Sequence, residues 1–105
     1  MAALCAIDSV SEGQAKGFAI EADTFIVTRR DSQFFVYLNR CPHLGIPLEW
    51  LPNQFLDEDA DLLRCSTHGA LFTIESGLCV AGPCVGEHLV AVPFRIREGQ
   101  IWLNR

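Results

Sequence analysis

The sequence predicts an all-β fold built from short antiparallel strands. Residues 24–29 and 33–38 are rich in β-branched and aromatic side chains, which favour strands, and the short polar segment between them is typical of a hairpin turn. Neither segment has the apolar spacing of an amphipathic helix. Residues 94–97 alternate between apolar side chains and Arg, the pattern of a strand with one buried face.

Shorter strands are expected wherever brief apolar runs lie between Gly, Pro or polar turn residues. A first strand is expected around Leu4 and Ala6, followed by a polar turn over residues 9–16 and a second strand at 18–20. Residues 48–61 are the least regular part of the chain. The remaining strands are predicted at residues 62–64, 71–74, 88–92, 94–97 and 101–103, with turns at 75–77 and 98–100.

Composition limits the class of protein. The chain has 105 residues, of which 50% are hydrophobic, so we expect one domain with a small core. A net charge of −5, with a single Lys, argues against a basic surface that binds nucleic acid. No apolar run reaches the roughly 18 residues of a membrane-spanning helix. The apolar start has no basic residue and ends at Asp8, so we expect no signal peptide and a cytoplasmic location.

Two loops each carry one Cys and one His, and these four residues are the candidate metal ligands. Cys41 and His43 form the first pair, and Cys65 and His68 form the second. Thiolate and imidazole select zinc, copper or iron–sulfur centres rather than calcium or magnesium. One ligand of each kind on each loop favours a [2Fe-2S] centre, with thiolates on one iron and imidazoles on the other. A structural site that binds a single zinc ion remains the alternative.

The motif Cys-x-His followed by Cys-x2-His resembles that of the Rieske family. Leu44-Gly45 follows the first His, and Gly69 follows the second, as in that family. The resemblance covers nearly the whole chain and implies a Rieske-type antiparallel β-sandwich with a small inserted cluster-binding subdomain. The implied boundaries are a base of residues 1–39 and 86–105 and a cluster-binding part of residues 40–85.

By this resemblance, Cys41 and Cys65 hold one iron of the cluster and the two His ligands hold the other. Gly82-Pro83 resembles the Gly-Pro loop that covers the cluster in this family. High-potential members carry Ser and Tyr where this chain has Ala70 and Phe72, neither of which donates a hydrogen bond from its side chain. The resemblance therefore implies a low potential. The residues expected around the cluster are Leu44, Gly45, Gly69, Ala70, Phe72, Gly82 and Pro83.

The implied function is that of a one-electron carrier between a reductase and a terminal oxygenase or other redox enzyme, as in Rieske-type ferredoxins of bacterial ring-hydroxylating systems. Only His88 remains after the cluster ligands are assigned, too few for a mononuclear iron site with two His and one carboxylate. No Gly-rich nucleotide motif follows a strand. The chain is therefore not expected to be an enzyme itself. An accessory subunit, similar to the small subunit of assimilatory nitrite reductase, remains the other class.

The other three cysteines and an acidic segment have less specific interpretations. Cys5 is expected to be a buried apolar residue. Cys79 and Cys84 are expected to be packed thiols, with a further metal site or an oxidisable pair as alternatives. The acidic residues from Asp57 to Asp61 are expected to form a solvated loop, and the alternative is a docking patch for a basic partner.

Overall fold

The computed structural model describes residues 2–42, 48, 55–57, 62–65 and 69–103. Nine strands form three antiparallel three-stranded sheets, with the orders β1-β9-β8, β2-β3-β4 and β5-β6-β7. No α-helix occurs in these ranges, so the predicted all-β class is confirmed. The strands are β1 (Ala2–Ala6), β2 (Ala15–Ile20), β3 (Asp23–Arg30), β4 (Gln33–Leu38), β5 (Leu62–Arg64), β6 (Leu71–Thr73), β7 (Cys79–Ala81), β8 (Phe94–Arg97) and β9 (Gln100–Leu103), with a 3-10 helix at Ile7–Ser9.

The sheet β2-β3-β4 lies between two hydrophobic cores. Phe25 and Val27 of β3 pack into one core with Ile101 of β9, whereas Ile26 faces the other core. Side chains of successive strand residues point to opposite faces, which explains this alternation. Tyr37 of β4 faces the same core as Ile26 and packs there with residues of the third sheet. The central sheet therefore separates the terminal strands from the part of the chain that carries the candidate ligands.

The β3–β4 hairpin is held by a tighter turn than predicted, because Arg30 still pairs with Gln33 in the ladder. The two linking residues, Asp31 and Ser32, have φ angles of 53° and 64°. Two successive residues with positive φ are typical of a type I′ turn, which normally favours Asn or Gly. The Glu12 carboxylate accepts hydrogen bonds from both of these backbone N–H groups, at 2.7 and 2.8 Å, and stabilises the strained turn.

The strand predicted at residues 88–92 does not form, and this prediction is wrong. The Leu89 N–H donates to Gly77 O beside the third sheet, whereas Val90 O accepts from Leu38 N–H of the central sheet, both at 2.9 Å. Val92 N–H then donates to Val36 O at 2.9 Å. The segment divides its hydrogen bonds between two sheets, so it connects them instead of extending either one. Pro93, which has no N–H, ends it.

The structure also differs from the sequence predictions in where one strand begins and in the exposure of one side chain. β2 begins at Ala15, inside the segment predicted as a turn. Ile96 was expected on the buried face of its strand but is 49% exposed. Within the described residues, no helix has the length and apolar character needed to cross a membrane.

Candidate metal centre

Cys41 and Cys65, the two predicted thiolate ligands, are both completely buried in the same hydrophobic core. Cys41 follows the end of β4, and Cys65 follows β5 directly. Each sulfur is therefore carried from the end of a strand, which restricts its position more than a long loop would. The predicted imidazole ligands His43 and His68, and the neighbouring Leu44 and Gly45, lie outside the described residues.

The loop that carries Cys41 is closed by a side chain that the sequence analysis did not identify. The Asn39 N–H donates to Thr24 O at 2.8 Å, which continues the strand pairing. The Asn39 Oδ1 accepts a hydrogen bond from Leu48 N–H at 2.9 Å, and this bond is buried. Asn39 thereby fixes both ends of residues 40–47. The sequence feature that could have predicted this bond is an Asn at the end of a strand, since Asn side chains commonly hydrogen-bond nearby backbone groups in turns.

The loop that carries Cys65 is closed by its own backbone. Cys65 N–H donates to Ala70 O at 2.9 Å, and Gly69 N–H donates back to Cys65 O at 2.8 Å. Gly69 has a φ of 68°, a conformation that favours glycine. Ala70 and Phe72 are both fully buried in the core that contains Cys65. The structure thus brings these two predicted neighbours of the cluster to the same core as the thiol.

The loop containing Gly82 and Pro83, which the resemblance places over the cluster, packs against Ala70 of the second ligand loop. Gly82 has a φ of 98°, and a Cβ added to it would lie 2.7 Å from the Ala70 Cα. Only glycine permits this contact at this backbone conformation. Both loop residues are exposed to solvent, while the flanking Cys79 and Cys84 are buried.

Cys79 and Cys84 are packed thiols, as expected. The Cys84 thiol donates to Cys79 Sγ at 3.1 Å, and the Cys79 thiol donates to Ala81 O at 3.1 Å. Burial, then the hydrogen bond with Cys79, raise the pKa of Cys84 to about 12, and Cys41 is close enough to add a smaller electrostatic effect. Cys5 lies in the other core, where partial burial raises its pKa to about 11.

The described donors fit the thiolate half of a [2Fe-2S] centre. Cys41 and Cys65 offer two buried sulfurs from separate strand ends, and no disulfide involves any of the five cysteines. Soft sulfur donors of this kind select iron–sulfur or zinc centres. No group of three or more His, Cys, Asp or Glu residues in the described ranges is placed to bind a metal, and both candidate imidazoles lie beyond those ranges.

Residues 1–95 match the family model of the Rieske [2Fe-2S] domain. The chain belongs to the Rieske family. Membership implies a [2Fe-2S] cluster and confirms the predicted family and cofactor. His88, which lies outside the cluster-binding motif, is exposed.

The Rieske chain is similar to electron carriers along most of their length. It is 31% identical, over 96 residues, to the biphenyl dioxygenase ferredoxin subunit of Pseudomonas sp. (strain KKS102), covering 91% of this chain and 83% of that protein. The structure of a ferredoxin from Sphingomonas yanoikuyae B1 superposes with a TM-score of 0.78 at 26% identity, covering 98% of this chain and 96% of that one.

A catalytic protein shares the fold over only part of its length. The terminal oxygenase of carbazole 1,9a-dioxygenase from Nocardioides aromaticivorans IC177 gives a TM-score of 0.78 at 17% identity. The match covers 97% of the Rieske chain but 29% of the oxygenase. At this identity the likeness shows the fold alone, which agrees with the predicted Rieske-type sandwich.

Proposed function

We propose that this Rieske chain is a ferredoxin, a one-electron carrier that passes electrons from a reductase to a terminal oxygenase. The observation that carries the proposal is the share of each relative's length that this chain covers. The chain covers 83% of a biphenyl dioxygenase ferredoxin subunit and 96% of a second ferredoxin, against 29% of a terminal oxygenase. Its relatives along most of their length are therefore carriers and not catalysts.

Cys41 and Cys65 are proposed to hold one iron, and His43 and His68 the other. The shared buried environment of the two thiols supports the first pair. When bound, the cluster supplies one-electron redox chemistry. The chain's own contribution is to fix the ligand loops, through the Asn39 bond to Leu48 and the paired backbone bonds of the second loop.

The proposed division into a base of residues 1–39 and 86–105 and a cluster-binding part of residues 40–85 is supported by the sheets. All strands of β5-β6-β7 fall within the second part, and the strands of the other two sheets fall within the first. A cytoplasmic location is supported by cysteine usage, because none of the five cysteines forms a disulfide, as is typical of a reducing compartment.

Electron transfer to a terminal oxygenase tests the proposed function. The purified protein should be brown and contain two irons and two sulfides, as a [2Fe-2S] cluster requires. After anaerobic reduction, it should reduce the oxidised Rieske centre of a biphenyl-type or carbazole-type oxygenase in a stopped-flow experiment. A colourless protein with stoichiometric zinc would contradict the proposal, as would failure to reduce either oxygenase.

A further inference from the structure

Cys79 and Cys84 form a second pair of sulfur atoms, which the proposed electron-transfer function does not use. Their Sγ atoms lie 3.1 Å apart, and both residues are 2% exposed. A disulfide bond is about 2.05 Å long, so a side-chain movement of about 1 Å would bring the sulfurs to bonding distance. We propose that Cys79 and Cys84 are a reversible thiol–disulfide pair that is oxidised by hydroperoxides.

Backbone hydrogen bonds already join the residues around the two cysteines, without a bond between the sulfurs. Cys79 N–H donates to Glu87 O at 2.9 Å, and Gly86 N–H donates to Cys79 O at 3.2 Å. Glu87 N–H donates to Cys84 O at 2.9 Å. These backbone hydrogen bonds hold the two segments that carry the cysteines beside each other. Because the closed loop is short, the bond adds less chain-entropy stabilisation than a disulfide that closes a long loop, which suits a reversible link.

The sulfurs lie beneath a short surface turn. Val80 is 45% exposed and Val85 is 62% exposed, and Gly82 and Pro83 between them are exposed as well. A hydroperoxide such as hydrogen peroxide is small and uncharged, so a local opening of this turn is sufficient for entry. Bulkier reagents would react more slowly. Disulfides in reducing compartments are usually transient and redox-sensing, which is the behaviour expected here.

The reaction balances with one hydroperoxide per pair. With hydrogen peroxide, one sulfur loses its proton and attacks a peroxide oxygen; the O–O bond breaks, hydroxide leaves and takes up the proton as water, and a sulfenic acid forms. The second sulfur then attacks the first, the S–O bond breaks, a second water leaves and the S–S bond forms. The two thiols lose two electrons and two protons, and a thiol reductant reverses the change.

The position of the pair links its oxidation to the cluster site. The loop that the disulfide would close contains Gly82, which packs against Ala70 of the second ligand loop. The same segment ends at Cys84, which is buried in the same core as Cys41. Oxidation of the pair would therefore restrain the segment that packs beside the proposed ligands.

Peptide mass spectrometry of the holoprotein tests the proposal. The protein is treated anaerobically with hydrogen peroxide at doses that leave the visible absorption of the cluster unchanged, then acid-quenched and alkylated in denaturant. Cleavage after Glu75 and Glu87 releases residues 76–87, a peptide whose two cysteines are Cys79 and Cys84. We expect the peptide to lose two hydrogens and both alkyl groups, and to regain the alkyl groups when it is reduced before alkylation.

Matched variants show whether the pair acts as a unit. Cys79→Ala and Cys84→Ala should each abolish the disulfide, whereas Cys5→Ala, which removes a half-buried thiol in the other core, should not change it. The proposal is overturned if both thiols of the wild-type peptide remain alkylated at the dose that bleaches half of the cluster. It is also overturned if the oxidised product is a sulfinic acid, or a disulfide that joins Cys79 or Cys84 to Cys41 or Cys65.

Discussion

Ala70 and Phe72 are the residues expected to hold the reduction potential low. Both are fully buried in the core that contains Cys65, and neither side chain donates a hydrogen bond. Donors to the cluster sulfurs stabilise the reduced state and raise the potential. We therefore expect a midpoint near the low end of the Rieske range, around −150 mV, and well below +300 mV. Protein-film voltammetry near neutral pH measures it.

Adding hydroxyl groups at positions 70 and 72 should raise the reduction potential. Ala70→Ser and Phe72→Tyr are each expected to shift the midpoint upward, and the double variant further than either. Ala19→Ser on the exposed face of β2, and Phe18→Tyr in the other core, make the same chemical changes elsewhere and should not shift it. A wild-type midpoint well above zero would contradict the hydrogen-bonding argument and weaken the assignment as a ferredoxin.

Tyr37 is expected to resist ionisation in the folded protein. Burial, then the nearby charge of Glu75, raise its pKa from 10.0 to about 12. Since the folded-state pKa is raised, the neutral form stabilises the fold below pH 10, and this contribution is lost as the pH rises through about 12. Tyr37 is the single tyrosine of the chain, so a near-ultraviolet titration reports it alone. Phenolate formation near pH 10 in the folded protein would contradict this placement.

The same hydroxyl contributes to stability at neutral pH. It donates to the Ile74 carbonyl oxygen at 2.5 Å in a buried bond that joins the central sheet to the segment after β6. Tyr37→Phe removes the donor and leaves a buried carbonyl without this partner, which should cost about 1–3 kcal/mol in the free energy of unfolding. Denaturant unfolding of the holoprotein measures the loss, and an unchanged midpoint would be evidence against it.

At the scale of elements, the contact between the Gly82 loop and the second ligand loop can be tested with two glycines of similar conformation. Gly82 and Gly86 have φ angles of 98° and 93°. A Cβ at Gly82 would lie 2.7 Å from Ala70 Cα, whereas one at Gly86 would meet nothing within 4 Å. Both Ala variants incur backbone strain, but Gly82→Ala should cost about 1–3 kcal/mol more because the two loops must also separate.

The test compares the loss of stability in Gly82→Ala with that in Gly86→Ala. Thermal unfolding should show a larger loss for Gly82→Ala than for Gly86→Ala, and the former should also lose its cluster faster on exposure to a chelator. Equal losses in both variants would mean that the contact with Ala70 contributes nothing beyond the strain at the glycine itself.

At the scale of the whole molecule, cluster binding and folding are expected to be coupled. Cys41 and Cys65 are fully buried in a core that also contains residues of the central sheet. Cys41→Ser and Cys65→Ser should abolish the visible absorption and lower or broaden the thermal transition, because ligand binding contributes directly to folding in small metal-binding domains. Near-ultraviolet circular dichroism follows the loss of packing.

Two His variants complete this prediction. His43→Ala should remove the Rieske-type electron paramagnetic resonance signal, and a normal signal in that variant would refute the ligand assignment. His88→Ala changes an exposed residue outside the motif and should leave the spectrum unchanged.

The sequence determined the features that depend on neighbouring residues. β-branched and aromatic content located β3 and β4, alternation located β8, and a brief apolar run located β5. The spacing of Cys and His indicated the metal site and its class. These patterns are readable because a strand places side chains with a period of two and a ligand loop needs a fixed local spacing.

The tertiary structure alone decided the features that join distant parts of the chain. Residues 88–92 look like a strand, yet their hydrogen bonds are divided between two sheets. The bond that the Glu12 carboxylate accepts from Asp31 N–H of the hairpin turn joins residues 19 positions apart. A backbone group bonds whichever partner the assembled sheets place beside it, so no local pattern could have shown these contacts.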